Sequence, residues 1–110
     1  MKQKSIGEFE EITLLIVAIL NGEAYSVSII EEMKERLNRN ASLGAVQTVL
    51  KRLEGKGFLK SDFGDATKAR GGKRKRLYKI TSSGQQVLEQ TRAQRNALWK
   101  AIPKFSFKIV

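Results

Sequence analysis

The stretch that decides the fold is residues 42–80, SLGAVQTVLKRLEGKGFLKSDFGDATKARGGKRKRLYKI. Its first part has the period of a helix. Leu43, Val46, Leu50 and Leu53 follow one another at spacings of 3, 4 and 3, which places them on one apolar face. Ser42 is a natural N-cap, because its hydroxyl can accept from an amide of the first turn. A helix is expected over 42–56, with Ala45, Gln47, Thr48, Lys51 and Arg52 on its polar surface and Gly57 at its end. The period then falls to two. Residues 58–63 and 76–80 read as strands, and the glycine-containing segment 64–75 as the connection of a hairpin. That connection is longer than a tight turn, and long loops in small domains often carry function.

Working outward, residues 8–20 hold Glu8, Glu10 and Glu11 and then the run ITLLIVAIL. Carboxylates suit the positive end of a helix dipole, and Asn21-Gly22 supplies a stop. A buried strand is the alternative, but the length favours a helix apolar nearly all round, placed in the core or at a subunit interface. Residues 26–38 read as a second helix. Ser26 or Ser28 would cap it, Ser28 with Glu31 fits a capping box, and Ile29, Ile30, Met33 and Leu37 form its stripe. Thr81 can cap a last helix of about twenty residues, near 30 Å long, ended by Pro103. Leu88, Thr91, Arg95, Leu98 and Ile102 recur along it at helical spacing. With a Thr and an Arg in the seam it is a poor coiled coil by itself. The tail with Phe105 and Phe107 alternates like a short strand. The result is a mainly α chain with a small β-hairpin, and three short helices before a basic hairpin is the winged helix-turn-helix layout, here with a long C-terminal helix added.

Composition narrows the function. The chain has 110 residues, which fits one domain. There is no cysteine and no histidine, so zinc sites and nucleophiles built on them are excluded. No G-x-x-x-x-G-K-[ST] loop is present. Catalysis, cofactor and metal are therefore not expected. The longest apolar run lacks a basic leader and is far short of a bilayer span, so a cytoplasmic protein without membrane association is expected. Net charge is +10, and residues 60–79 alone carry eight basic residues against Asp62 and Asp65. Charge gathered on one segment points to a polyanion.

That pattern assigns roles for double-stranded DNA as the partner. The third helix would enter a major groove, with Ser42 and the first amides on a phosphate. Gln47 would face adenine, Thr48 a thymine methyl or a base edge, and Lys51 a phosphate. The wing residues Arg70, Lys73, Arg74, Lys75 and Arg76 would reach the backbone or an adjacent minor groove. Tyr25 and Ser26, at the start of the second helix, are candidates for a further phosphate contact. Against these stand plainer readings: a solvated polar helix face, a charged loop that aids solubility, and a packed tyrosine. Trp99 would either line an effector pocket for flat aromatic or hydrophobic ligands or serve interface packing alone.

Several stretches in order resemble the PadR family of transcription regulators. They are Gly7-Glu8-Phe9-Glu10-Glu11, Ser42-Leu43-Gly44-Ala45-Val46, Arg52-Leu53-Glu54-Gly55-Lys56-Gly57-Phe58-Leu59, Arg70-Gly71-Gly72-Lys73-Arg74 and Tyr78-Lys79-Ile80-Thr81-Ser82-Ser83-Gly84. The resemblance covers about residues 6–92, and the short C-terminal part is similar to the small subgroup with a single dimerisation helix. It implies a repressor that dimerises through that helix and answers to phenolic acids, drugs or other signals. Residues 1–81 would be the DNA-binding head and 82–110 the dimerisation helix and tail, in one structural unit. Phe9, Ile12, Leu88, Leu98, Trp99 and Ile102 would meet at the homodimer interface. The family often has Tyr where Gln47 stands. The function expected is a ligand-responsive repressor on a palindromic operator; the alternatives are a non-specific nucleic-acid-coating protein and a winged-helix module for protein partners.

Overall fold

The computed structural model describes residues 5–64 and 74–104. Along the chain these form α1 (Glu8–Leu20), α2 (Ser26–Leu37), α3 (Leu43–Gly55), β1 (Leu59–Phe63), β2 (Arg76–Ile80) and α4 (Ser82–Ala101). The mainly α winged helix expected from the sequence is the fold observed. Arg70 and Lys73, with the Gly71-Gly72 pair, lie outside the described residues, as do Phe105 and Phe107.

The core sits where α1, α2 and α3 meet the base of the hairpin. Leu14, Ile29, Met33, Val46, Leu50 and Leu53 are wholly buried there, and each removes apolar surface from water at about 25 cal/mol per Å2. On α3 the buried arc is Val46, Val49, Leu50 and Leu53. Leu43, expected in that arc, lies at its edge in the first turn and is exposed, and Val49 closes the other side. Leu37, at the end of the α2 stripe, is exposed as well. Helix α1 buries Thr13, Leu14, Ile16 and Val17 but leaves Leu15 and Ile19 in solvent. These two are four residues apart, so one apolar ridge of α1 is uncovered within a single chain.

The helix starts use two different devices. Ser42 caps α3 as expected, accepting from the Ala45 amide at 3.1 Å. The Ser28–Glu31 box does not form. Instead Tyr25 is the N-cap of α2 with an extended backbone, and Ser28, in the first turn, accepts from the Tyr25 amide at 3.0 Å. The reason is tertiary: the Tyr78 amide donates to the Ala24 carbonyl at 2.8 Å, and this bridge holds the approach to α2 extended as far as Tyr25. At α1, Glu10 plays the same part by accepting from the Gly7 amide at 2.8 Å. Asn21 ends α1 in the left-handed conformation, with φ of 42°, which asparagine tolerates better than most residues.

The hairpin is antiparallel, with Leu59 opposite Ile80, Ser61 opposite Tyr78 and Phe63 opposite Arg76. One face therefore carries Leu59, Ser61, Phe63, Arg76, Tyr78 and Ile80. Its base belongs to the core, while its outer end carries polar groups. Where β2 passes into α4, Thr81 accepts from the Gly84 amide at 3.1 Å and donates to the Gly57 carbonyl at 2.6 Å. The Thr81 amide also donates to the Phe58 carbonyl at 3.1 Å. This close approach needs a glycine at position 84: a Cβ there would lie 2.3 Å from the Phe58 oxygen and 2.8 Å from Ile80 Cγ1. Gly84→Ala is expected to destabilise the fold by about 1–3 kcal/mol through overpacking, read as a lowered midpoint in urea. An unchanged midpoint would mean that this contact is slack.

The three glutamates of the first α1 turn do more than face a dipole. Glu8 pairs with Arg39 at 2.9 Å, Glu10 with Lys56 at 2.8 Å and Glu11 with Arg95 at 2.8 Å. They tie α1 to the α2–α3 connection, to the end of α3 and to α4. The outer pairs are solvated and contribute little, but the Glu10 side chain is only 10 % exposed. Burial raises its pKa, and the hydrogen bonds from Lys56 and the Gly7 amide, with the Lys56 and Arg52 charges, outweigh that and hold it below the ordinary carboxylate value of 4.5. A carboxyl held lower in the folded state stabilises the fold above its unfolded pKa and loses that contribution as pH falls through the folded one. Glu10→Gln is therefore expected to remove part of the loss of stability below about pH 4.5, measured by urea unfolding at pH 3–7.

Candidate nucleic-acid interface

Helix α3 turns its buried arc to the core, so the opposite arc is left for solvent. Gly44, Gln47 and Lys51 follow at spacings of 3 and 4, with Thr48 beside them, and all four are exposed. The hairpin rises alongside. Between the two lies a cleft of about 650 Å3, lined by Ser26, Gly44, Gln47, Thr48, Lys51, Glu54, Arg76 and Tyr78. Three separate elements thus bring Ser26, Gln47, Thr48, Lys51 and Arg76 to one concave surface. Gly44 needs no glycine for packing, since a Cβ there would meet nothing within 4 Å; its effect is to leave the cleft wall low beside the first amides of α3.

The remaining assigned residues are placed as follows. Ser42 is exposed, with its oxygen engaged in the cap. The ammonium of Lys75 sits 4.3 Å from the centre of the Tyr25 ring, a cation–π contact that pins the root of the wing to the start of α2. The Lys75 carbonyl accepts from the Gly64 amide at 2.7 Å, so the strands stay paired one step beyond β1. Arg74 is exposed. Arg76 lies across the Phe63 ring at 4.5 Å and donates from Nη1 to the Ser61 hydroxyl at 2.7 Å. Ser61 in turn donates to Glu54 Oε2 at 2.6 Å. Burial, with the Glu54 charge adding to it, pushes the Tyr78 phenol above its ordinary pKa, so it stays protonated beside this chain of groups.

Sequence reasoning missed Glu54, Ser61 and Phe63. Glu54 had a readable signal, because it lies seven residues after Gln47 and three after Lys51 and so shares their face. Ser61 and Phe63 had none: their place depends on strand register.

The other assigned group divides. Phe9, Ile12 and Leu88 are half-buried against the chain's own core. Leu98 and Trp99 are 70 % and 66 % exposed on α4, and Ile102 is half-buried at its end. A second cleft, of about 530 Å3, lies between α1 and α4 and is lined by Glu11, Leu15, Leu88, Arg92, Arg95 and Trp99 among others.

The model of the transcriptional regulator PadR-like family matches residues 14–90. The chain belongs to the PadR-like family. Solved structures agree. A PadR-like transcription factor from Bacteroides fragilis superposes with a TM-score of 0.70 at 26 % identity, covering 84 % of this chain and 84 % of that one. A PadR family transcription regulator from Clostridium difficile R20291 gives 0.68 at 29 % identity, covering 86 % and 96 %. The fold is shared with a PadR family regulator from Eggerthella lenta, at a TM-score of 0.69 and 21 % identity over 93 % and 88 %. Comparison with curated protein sequences finds no match. This PadR-like protein is thus a DNA-binding transcription regulator and not an enzyme. Among the described residues, no helix is long and apolar enough to cross a membrane.

Proposed function

We propose that this regulator is a sequence-specific repressor that acts in the cytoplasm, binds a palindromic operator as a homodimer, and answers to a small aromatic or hydrophobic effector. The observation that carries this reading is the cleft between α3 and the hairpin, where base-reading side chains and cations share one surface. Gln47 and Thr48 are suited to base edges. Lys51, Arg74 and Arg76 are suited to phosphates, with Arg70, Lys73 and Lys75 extending the charge along the wing. Ser42, Tyr25 and Ser26 would meet the backbone that passes the start of α3 and α2. On this reading residues 1–81 are the head and 82–110 the dimerisation part.

Exposure along α4 supports the dimer. Every residue from 92 to 101 is exposed, and Leu98 and Trp99 stand among them. Leu15 and Ile19 of α1 are exposed as well, and Leu15 lines the same cleft as Trp99; a second copy would cover these apolar groups through a two-fold contact. The cleft between α1 and α4 supports the effector, since Trp99 offers a flat surface and Leu15 and Leu88 an apolar floor. A ligand seated there would act by favouring one spacing of the two heads.

Selection from random duplex DNA tests the reading. Enrichment of an inverted repeat, with half-sites about one helical turn or a multiple of it apart, is expected. An isolated half-site would remove the dimer, and no enrichment would leave a coating protein. On the enriched duplex, Gln47→Ala should change base preference. Arg74→Ala and Arg76→Ala should weaken all sequences alike and flatten the dependence of log affinity on log salt by about 0.9 per lost phosphate contact. Leu98→Asp should yield monomers in analytical ultracentrifugation and lower affinity about 100-fold or more as bivalency is lost; a stable dimer from this variant would place the interface elsewhere.

A further inference from the structure

Glu54 is the one carboxylate lining the cleft among the described residues. On a surface that receives a polyanion, an acid that only repelled would be a cost. Its contacts give it a different part. The Ser61 hydroxyl has a single proton, and it goes to Glu54 Oε2 at 2.6 Å. The Ser61 lone pairs are thereby turned toward Arg76, whose Nη1 donates to them at 2.7 Å. The Phe63 ring, 4.5 Å from the guanidinium, supports one face of it. Glu54 and Arg76 do not pair directly. The intervening hydroxyl keeps the carboxylate from taking the guanidinium's donor fork, so most of its five N–H groups remain for a phosphate. The relay also crosses elements: Glu54 stands on α3, Ser61 and Phe63 on β1, and Arg76 on β2. Arg76 is thus oriented with reference to the helix that carries Gln47 and Lys51.

We propose that Glu54 is a positioning residue of the DNA contact, acting on Arg76 through the Ser61 hydroxyl. This rests on the reading of the α3–wing cleft as the DNA-binding surface. It deepens that reading by giving an acidic side chain a favourable role in binding an anion, and it makes a prediction of sign that charge alone would reverse. If Glu54 acted only by repulsion, removing its charge would tighten binding in every variant. If it acts through the relay, losing the hydrogen-bond acceptor loosens Arg76 and weakens binding although the protein has become more basic.

The test measures affinity for a fluorescent mixed-sequence duplex at several salt concentrations, using the full chain. Ser61→Ala, which leaves the charge unchanged, is expected to weaken binding about fivefold, the scale of one net hydrogen bond. Glu54→Ala is expected to weaken it similarly, while Glu54→Gln, which still offers an oxygen to Ser61, should bind as the wild type or tighter. In an Arg76→Ala background the Ser61 and Glu54 substitutions should lose their weakening effect, as coupled neighbours do. Thermal melts of each variant show that it is folded, and Ser61→Ala keeps the test open should Glu54→Ala be unstable. Tighter binding by Glu54→Ala, or additive effects of Ser61→Ala and Arg76→Ala, would overturn the relay alone. An Arg76→Ala variant that bound as the wild type would overturn the interface reading beneath it.

Discussion

The structure turns on the few atoms that join Gly57 and Phe58 to Thr81 and Gly84. The Thr81 hydroxyl accepts from the Gly84 amide in the first turn of α4 and donates to the Gly57 carbonyl just after α3. Its own amide holds the Phe58 carbonyl. A backbone carbonyl pressed on an α-carbon without a side chain leaves almost no room for slippage. Because α3, the hairpin and α4 all leave from this junction, their relative directions follow from it. The concave surface beside α3 and the course of α4 both follow from this junction.

Charge is arranged by the same economy. The chain is strongly basic, yet the acids of α1 are each matched to a cation from a different element. These pairs neutralise positive charge on the side of α1 and leave it in excess along the hairpin. The half-buried Glu10–Lys56 pair is the one with enough desolvation to matter for stability. Two cations of β2 and its approach are held against rings, Lys75 on Tyr25 and Arg76 on Phe63. Aromatic rings hold these side chains without neutralising them, which suits groups meant for an external anion.

Much of the fold was legible because it rests on local periods. The spacing of Val46, Leu50 and Leu53 set α3, Ser42 and Thr81 set two helix starts, and the change of period at Phe58 set the hairpin. The failures share a cause. Leu43 and Leu37 fit their stripes by spacing, but the core does not extend to the ends of those helices. The Ser28–Glu31 box fits by spacing too, but the bridge between Ala24 and Tyr78 moves the start of α2 back to Tyr25. In each case the outcome depended on what lies nearby in space, a core that stops short or a bridge that forms, rather than on spacing along the chain.

The sequence by itself determined the element order, the polar arc with Gln47, Thr48 and Lys51, and the basic hairpin, since each follows from neighbours within a few turns of chain. Only packing and strand pairing brought Ser26 and Arg76 to the cleft beside that arc and set Ser61 between a carboxylate and a guanidinium. Strand register and helix packing bring residues far apart in the chain within hydrogen-bond reach. Register depends on the connecting turn as well as on the alternation of each strand, and a long connection leaves it to be fixed when the strands pair.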